Sequence, residues 1–239
     1  MEKVMIMLRG IPGDDAWCSR LRGDVAQSLL DTGVAGLAVN VRDAVVNDSL
    51  MTLTTLDPPA IAFVSIWTDQ CYGHQVHTAT TLLSDLSDHV AAYLVTESVP
   101  LTPPHTEPGD RTPGFANVAL LRRPAALDEA TWLACWHHDH TQVAIDTQST
   151  FGYTQNAVVR ALTAEAPPIS AIVEELFPIE ATADLHAFFG ATDDDDLSDR
   201  MTRMVASTSA FGANRDVDTV PTSRYVLRSA FARADTLQP

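Results

Sequence analysis

Short apolar runs and amphipathic segments alternate along the first hundred residues. The run KVMIML at residues 3–8 predicts a strand. Apolar side chains at every fourth position from Trp17 to Leu29 predict a helix, which Asp14 or Asp15 can cap. Further apolar or alternating runs predict strands at residues 36–46, 60–67 and 90–96, and a second helix is predicted near residues 78–89. The predicted order is βαββαβ.

The same order recurs in the second half of the chain. Trp132, Trp136 and His140 recur every four residues, so they lie on one stripe of a helix that begins at Asp128. We predict strands at residues 115–121, 149–162, 169–177 and 223–227, and further helical segments at residues 183–189 and 197–207. Because residues 5–8 correspond to 118–121 and Trp17 corresponds to Trp132, the chain reads as one βαββαβ unit written twice.

A proline-rich stretch, LTPPHTEPGDRTP at residues 101–113, separates the two halves, and we predict that it is a linker without sheet pairing. The predicted halves are residues 1–100 and 114–239. A βαββαβ unit is the ferredoxin-like plait, whose sheet carries helices on one face and leaves the other face apolar. Two such faces can pack together and pair at their edges. The sequence therefore predicts an α+β protein in which two fused ferredoxin-like repeats form one pseudo-dimeric α/β barrel.

Composition narrows the classes of partner and compartment. The chain has 239 residues, 46% of them apolar, and a formal net charge of −16. Such a chain repels phosphate groups, so we expect neither nucleic acid nor an anionic membrane as a partner. No apolar run approaches the roughly 18 residues of a membrane helix. The three scattered cysteines indicate a reducing compartment, and we expect a cytoplasmic protein.

Three motifs in the second half resemble the EthD-domain family of the dimeric α/β-barrel superfamily. They are LLRRPAALDEATWLACWHHDH at residues 120–140, FGYTQNAVV at residues 151–159 and IVEELF at residues 172–177. The family positions fall on Trp136, His140, Tyr153, Gln155 and Asn156. The first half resembles the family in element order alone, and the residues that stand where Trp136, His140 and Tyr153 would be are Leu21, Val25 and Asn40.

The resemblance implies a pocket between helices and sheet, and it leaves two functions open. Families with this barrel include cofactor-independent enzymes that act on small aromatic compounds, and also accessory proteins without a settled reaction. The first hypothesis is an acid/base enzyme of the cyclase, dehydratase or decarboxylase type that acts on a small, mostly apolar or aromatic compound. The second is a non-catalytic accessory or small-molecule-binding protein. Whether whole barrels associate into homo-oligomers stays open.

The resemblance assigns His140 as the general acid/base, with Tyr153 and Glu174 assisting it, and Trp136, Gln155 and Asn156 as the pocket lining. A second interpretation makes His140 a core histidine that a glutamate holds in place. Glu174 and Glu175 are adjacent on a strand, so they point to opposite faces, and the family register favours Glu174 for the pocket. The other interpretation is a salt bridge from this glutamate to Arg160 or Arg123.

Neither a metal nor a cofactor is expected from the motifs. His137 and His140 are close enough on a helix to share a metal, but the third ligand and the catalytic glutamate of helical zinc motifs are missing. We expect His137 and His138 to be solvated helix residues. The acidic run at residues 193–196 lacks the ligand spacing of a calcium loop, and the sequence contains no nucleotide-binding or serine-hydrolase motif. Arg9, Arg122 and Arg123 lie at corresponding strand ends, where they either bind an anionic substrate group or cap the ends of the sheet, and we favour the second interpretation.

Overall fold

The computed structural model describes residues 1–231, which form an α+β protein. The strands are β1 (Glu2–Arg9), β2 (Gly36–Val41), β3 (Ala60–Thr68), β4 (His89–Leu101), β5 (Phe115–Leu121), β6 (Gly152–Ala161), β7 (Ala171–Phe177) and β8 (Asp218–Arg228). The helices of the first half are α1 (Asp15–Arg20), α2 (Ala26–Asp31) and α3 (His74–Ser84), with a π-helical turn at Leu21–Val25. Those of the second half are α4 (Glu129–Ala134), α5 (Thr141–Thr147), α6 (Leu185–Phe189) and α7 (Asp194–Phe211), with a π-helical turn at Cys135–His140 and a 3₁₀ turn at Ile179–Thr182.

The strands close into one antiparallel barrel in the order β1-β3-β2-β8-β5-β7-β6-β4. Within each half the strands follow the same order, β4-β1-β3-β2 and β8-β5-β7-β6. The halves meet where β2 pairs with β8 and where β4 pairs with β6. Since each strand has a neighbour on both sides, the described sheet leaves no open edge. The predicted α+β class and the closure of the strands into a barrel are therefore confirmed.

The interior of the barrel has an apolar part and a polar part. Met5 and Met7 of β1 point into the apolar part, where buried side chains from the neighbouring strands surround them. Lys3, two residues before Met5, points into the polar part and is 5% exposed. The other buried side chains that contact one another in this part belong to Asn40, Asn156, Glu174 and Thr222. Buried charges need partners of opposite sign, and Lys3 and Glu174 are such partners in this part of the barrel.

The helices cover the outside of the barrel in two groups, one packed on the strands of each half. We call each group with its strands a layer, the first layer in the first half and the second layer in the second half. In the first layer, Leu21 and Val25 pack against the sheet within a continuous apolar core. In the second layer, Trp132 and Trp136 pack against each other, with ring centroids 5.3 Å apart, and Trp132 also packs against Phe211. Burial of these aromatic rings contributes to the attraction between the second-half helices and their sheet.

In each half, one tryptophan indole hydrogen-bonds the first helix to the end of a later helix, α3 in the first half and α7 in the second. Trp17 Nε1 donates to the carbonyl of Leu86 at 3.0 Å, just beyond the end of α3. Trp132 Nε1 donates to the carbonyl of Phe211 at 3.1 Å, at the end of α7. Carbonyls near the end of a helix lack a partner in the next turn, so each indole donates to a group of the kind that helix ends leave open.

Several element boundaries differ from the prediction, and two of these differences have a clear local cause. The second strand ends at Val41 rather than at residue 46, because the chain turns at Asp43, whose carboxylate accepts from Val45 N at 3.3 Å and from the Ser223 hydroxyl at 2.9 Å. The second helix begins at His74, earlier than predicted, because the extended backbone of Gly73 lets the helix start there.

The proline-rich stretch contacts the sheet near both of its ends. Leu101 belongs to β4 and pairs with Tyr153, while Arg111 forms an isolated bridge with Tyr225 of β8. The prediction that this stretch makes no sheet pairing is therefore wrong at these positions.

No helix within residues 1–231 has both the length and the apolar content needed to cross a bilayer. The predicted second half runs to residue 239, and its residues 232–239 lie outside the described residues.

Candidate functional site

Three polar side chains form a row across the helix-facing side of the second-half sheet. Asn117 on β5 pairs directly with Glu175 on β7, and Glu175 pairs directly with Tyr153 on β6. Directly opposed residues on neighbouring strands point to the same face, so these three side chains lie together beneath the helices. Each is at most 9% exposed. We call Asn117, Glu175 and Tyr153 the polar row.

A cavity of about 270 Å³ lies between the polar row and the helices. Its helical wall carries Trp136 and His140, from the π-helical turn, and Phe211, from the end of α7. The cavity meets the surface at Leu53 and Asn214, both of which are exposed. Its other apolar lining residues are Ala119, Leu121, Val173, Phe188, Met204, Ala213 and Val217. The walls are therefore largely apolar, with polar groups both on the sheet, at the polar row, and on the helical side, at His140 and Thr208.

His140 is buried, and its ring makes one side-chain hydrogen bond within residues 1–231. Its Nδ1 lies 2.9 Å from the Ser207 hydroxyl on α7, and its ring packs against Phe211 with centroids 4.9 Å apart. Burial lowers the pKa of His140 to about 4, so the imidazole is neutral at pH 7. If Nδ1 carries the proton and donates to Ser207, Nε2 keeps a lone pair that can accept a proton.

Glu175 has the opposite shift for the same physical reason. Burial raises the pKa of Glu175 to about 8, because a carboxylate is poorly stabilised among apolar groups. The amide NH2 of Gln148, in the orientation that suits its neighbours, donates to Glu175 Oε1 at 3.1 Å. A carboxyl group with this pKa is protonated at pH 7 and can therefore donate a proton.

Tyr153 stays protonated at neutral pH, because burial and then the nearby Glu175 raise the pKa of its phenol, against the smaller opposing effect of N–H groups on Trp136 and Gln155. Within residues 1–231, Asn117 Oδ1 and Trp136 Nε1 are buried without a hydrogen-bond partner of normal geometry. A buried polar atom without a partner costs about 1–3 kcal/mol. A ligand that hydrogen-bonds to these two atoms would remove that cost.

The cavity thus brings together an acid and a base that are both uncharged near neutrality. Between about pH 4 and pH 8, His140 is a neutral base while Glu175 is a neutral acid. Titratable groups whose environments move their pKa values into this order are typical of sites that move protons. An uncharged pair also suits an uncharged ligand, since no buried charge needs compensation.

Glu174, predicted to assist His140, lies on the other side of the sheet. It precedes Glu175 by one residue, so the pleat turns it into the barrel, where it contacts Asn40 Nδ2 at 3.3 Å and Lys3 Nζ at 3.5 Å. The prediction of Glu174 as a pocket residue is therefore wrong, and Glu175 occupies that place. The ion-pair partners of Glu174 are Lys3 and Arg224, not the predicted Arg160 or Arg123.

Trp136 lines the cavity as predicted, whereas Gln155 and Asn156 do not. Gln155 Nε2 donates to the Thr141 hydroxyl at 2.7 Å, which ties α5 to the sheet. Asn156 faces the interior of the barrel, where its Nδ2 donates to the carbonyl of Ile172 at 3.0 Å. Asn156 was predicted from its place in the motif, which does not show which face of a strand meets the cavity. Gln155 shares the face of Tyr153, but it lies beneath α5 and outside the cavity lining.

Sequence reasoning did not identify Asn117, Gln148 and Ser207. The position of Asn117 within the apolar run FANVALL was a usable signal, because burial of an amide without a hydrogen bond costs free energy. No such signal marks Ser207, since α7 reaches His140 only through the tertiary fold.

Other candidate groups have structural contacts. Arg122 donates to Asp218 at 2.8 Å, as expected for a strand-end arginine. His137 is half-buried against Trp136 rather than solvated, with ring centroids 4.4 Å apart, and burial lowers its pKa. His, Cys, Asp and Glu side chains within residues 1–231 form no group of three suited to a metal ion.

Comparison with known proteins identifies the fold. No protein-family model and no curated protein matches the sequence. The crystal structure of an anthrone oxidase-like protein matches with a TM-score of 0.54 at 8% identity, over 98% of this chain and 96% of that chain. A candidate monooxygenase from Lactobacillus acidophilus NCFM matches with a TM-score of 0.50 at 9% identity, over 95% of each chain. At such low identity the likeness concerns the fold and not the reaction. The chain therefore shares its fold, a closed eight-stranded barrel with helices outside, with these two proteins.

Proposed function

We propose that this protein is an acid/base enzyme that acts on a small, uncharged, mostly aromatic compound bound between α7, the second π-helical turn and the sheet. The observation that carries the proposal is the pair of opposite pKa shifts at one cavity, which gives His140 a pKa of about 4 and Glu175 a pKa of about 8. Both reacting groups are side chains of the chain itself, so we propose that the proton transfer needs no resident cofactor.

The cavity supports this class of compound by its size and its walls. A volume of about 270 Å³ is at the small end for ligand pockets, and it suits a compound of two or three fused rings. The rings of Trp136 and Phe211 offer faces for stacking. Asn117 and Tyr153 can hydrogen-bond to a carbonyl or hydroxyl group on the compound. The fold shared with a protein named as anthrone oxidase-like agrees with an aromatic compound.

The roles follow from the protonation states. His140 takes a proton from carbon or oxygen through Nε2, while Glu175 gives a proton to the developing oxyanion. The Tyr153 hydroxyl and the Asn117 amide NH2 can donate to the same oxygen, and Ser207 orients His140 through Nδ1. Cyclisation and dehydration use both steps, whereas decarboxylation uses the proton delivery to the oxyanion that forms as CO2 leaves.

Proton exchange tests the proposal without knowledge of the natural substrate. The α-protons of 1-tetralone, an uncharged two-ring aromatic ketone, exchange with D2O when a base removes one and an acid protonates the oxygen. We expect the wild-type protein to accelerate this exchange, measured by ¹H NMR. Glu175→Gln and His140→Asn should each reduce the acceleration by about 10²- to 10⁴-fold. His138→Asn and Glu180→Gln alter exposed residues and serve as matched controls.

The outcome separates enzyme from binding protein. Acceleration that survives both cavity substitutions would overturn the assignment of His140 and Glu175. Binding of two-ring ketones that depends on Tyr153 and Asn117, without any accelerated exchange across a panel of such ketones, would instead favour the non-catalytic function. The hydrogen bond between His140 and Ser207 is the observation that favours this second function, because it holds the ring in place as a core histidine would be held.

The two halves, residues 1–100 and 114–239, are in our proposal copies of one ferredoxin-like unit, joined by residues 101–113. The repeated strand order and the paired indole hydrogen bonds support this origin. So do the π-helical turns at corresponding places in the first helix of each half. The EthD-type motifs support a common origin with that family for the second half. Further association of whole barrels stays a proposal that the molar mass in solution can test.

A further inference from the structure

The polar part of the barrel interior contains two acidic and two basic side chains from four strands. Lys3 Nζ contacts Glu97 Oε2 closely and lies 3.5 Å from Glu174 Oε1. Arg224 Nε lies 3.7 Å from Glu174 Oε2. The side chains of Lys3 and Glu174 are 4% and 8% exposed, so this cluster is largely withdrawn from water. Burial alone would oppose ionisation of Glu174, but Lys3 and Arg224 outweigh it and lower its pKa.

A hollow of about 390 Å³ lies beside this cluster, on the opposite side of the sheet from His140. Its apolar walls are the ring of Trp67 and the side chains of Pro103, Pro104 and Phe231. Trp67 also lies beneath Lys3, with Nζ 4.8 Å from the ring centroid. Segment 102–108 covers the hollow, and Val99 stands in its wall with 45% of its surface exposed.

The four charged groups are not equally satisfied. Lys3 has two carboxylates and the face of Trp67, and Glu174 also accepts from Asn40 and Asn156. The Arg224 guanidinium has five N–H donors. Within residues 1–231 its side-chain contacts are to Thr112 Oγ1 at 3.5 Å and to Glu174 at 3.7 Å. Both exceed the roughly 2.7–2.9 Å of a well-formed charge-assisted hydrogen bond. Arg224 therefore faces the hollow with most of its donors uncommitted.

We propose that this hollow is a second ligand site, which takes a small organic monocarboxylate with a flat apolar body. The carboxylate would pair with the fork of Arg224, and the body would lie against Trp67 and the two prolines. The basic groups of the lining, Lys3, Arg224 and Arg228, outnumber the acidic groups, Glu97 and Glu174, by one, so a single negative charge is balanced.

The charges around the hollow also exclude other classes of ligand. A dianion such as phosphate would carry a second charge towards Glu97 and Glu174, where like charges repel. A cation would meet Arg224 with the same sign. An uncharged analogue would leave the guanidinium without its counter-charge, so the carboxylate itself is the recognised group.

Calorimetric titration of the whole protein with benzoate tests the site. We expect saturable binding of benzoate that weakens as NaCl is raised from 50 to 500 mM, with no binding of benzamide or inorganic phosphate at equal concentrations. Arg224→Gln should weaken benzoate binding at least tenfold. Arg203→Gln alters an exposed arginine on α7 and should leave it unchanged.

A second pair of variants covers the case in which Arg224→Gln fails to fold. Val99→Glu places a carboxylate at the wall of the hollow without touching the buried cluster, and it should weaken benzoate binding several-fold, whereas the uncharged Val99→Gln should not. Equal affinities for the two Val99 variants would overturn the proposal, as would benzoate binding that depends on His140 rather than on Arg224. His140→Asn and Glu175→Gln should leave benzoate binding intact, so this site and the acid/base cavity can fail independently.

Discussion

The two helix–sheet layers of this protein share a scaffold and differ in what fills it. In the second layer, the polar row faces Trp136 and His140 across a cavity. In the first layer, the strand pairing defines a corresponding row that is apolar throughout, which we call the apolar row: Val4, Ile66 and Leu37. It faces Leu21 and Val25, and all five of these side chains are at most 7% exposed.

The difference shows that the barrel itself does not require polar groups beneath its helices. The apolar row demonstrates that three apolar residues can fill this place in the fold, and burial of such residues stabilises it by roughly 1.5–3 kcal/mol per side chain. The polar row instead leaves Asn117 Oδ1 without a partner among residues 1–231 and leaves a carboxyl group in an apolar setting. Polar groups kept at a cost to stability are what a working site requires.

The largest expected loss of stability comes from placing a carboxyl group in the apolar row, at Ile66, which occupies the position that corresponds to Glu175. Ile66→Glu should lower the free energy of unfolding by roughly 5 kcal/mol, because it removes a buried aliphatic side chain and buries a carboxyl group among apolar residues. Urea unfolding measures the loss. Ile66→Leu keeps the apolar volume and should cost less than about 1.5 kcal/mol. A small loss for Ile66→Glu would mean that the two layers are more alike than their cores indicate.

The next effect is a dependence of stability on pH that Glu175 should contribute. Between about pH 4.5 and pH 8 the unfolded chain releases this proton while the folded chain keeps it, so the free energy of unfolding falls as pH rises. The contribution of Glu175 to this fall is on the order of 4 kcal/mol.

Glu175→Gln should remove the contribution, so its unfolding free energy should rise relative to wild type on going from pH 5 to pH 8. The exposed Glu180→Gln should follow the wild-type curve. If the Glu175→Gln and wild-type curves run parallel, the carboxyl group is ionised in the folded protein and cannot be the proposed acid.

The smallest expected change in stability tests whether α7 holds the His140 ring in the second layer. Ser207→Ala removes the hydroxyl that contacts His140 Nδ1, and it should cost about 1 kcal/mol of unfolding free energy. It should also change the distribution of the proton between Nδ1 and Nε2, which ¹⁵N NMR of the ring reports. Ser198→Ala, at an exposed position of the same helix, should change neither quantity.

The sequence by itself determined the class of fold and most of its elements. Runs such as FANVALL are apolar over the length of one strand, so the strand at Phe115–Leu121 was predicted with its observed ends. The four-residue spacing of Trp132, Trp136 and His140 placed them on one face of the helix, and all three are buried. Local periodicity carries this information because it depends only on the geometry of helices and strands.

Only the tertiary structure decided which polar residues meet. Adjacent glutamates must point to opposite faces, but the register of β7 with β5 and β6 sets which one lies beside Tyr153. Alignment of the two halves by sequence put Asn40 at the place of Tyr153, whereas the strand pairing puts Leu37 there. A shift of one residue exchanges the two faces of a strand, and the hydrogen bonds between strands fix that shift.

Contacts between distant segments were likewise decided by the tertiary structure alone. Ser207 reaches His140, and Lys3 reaches Glu174, across intervals of 67 and 171 residues whose closure depends on the whole barrel. The pKa values of His140 and Glu175 follow from burial, which the same closure creates. The sequence supplied the ionisable groups, and the exclusion of water by the folded layers gave them their properties.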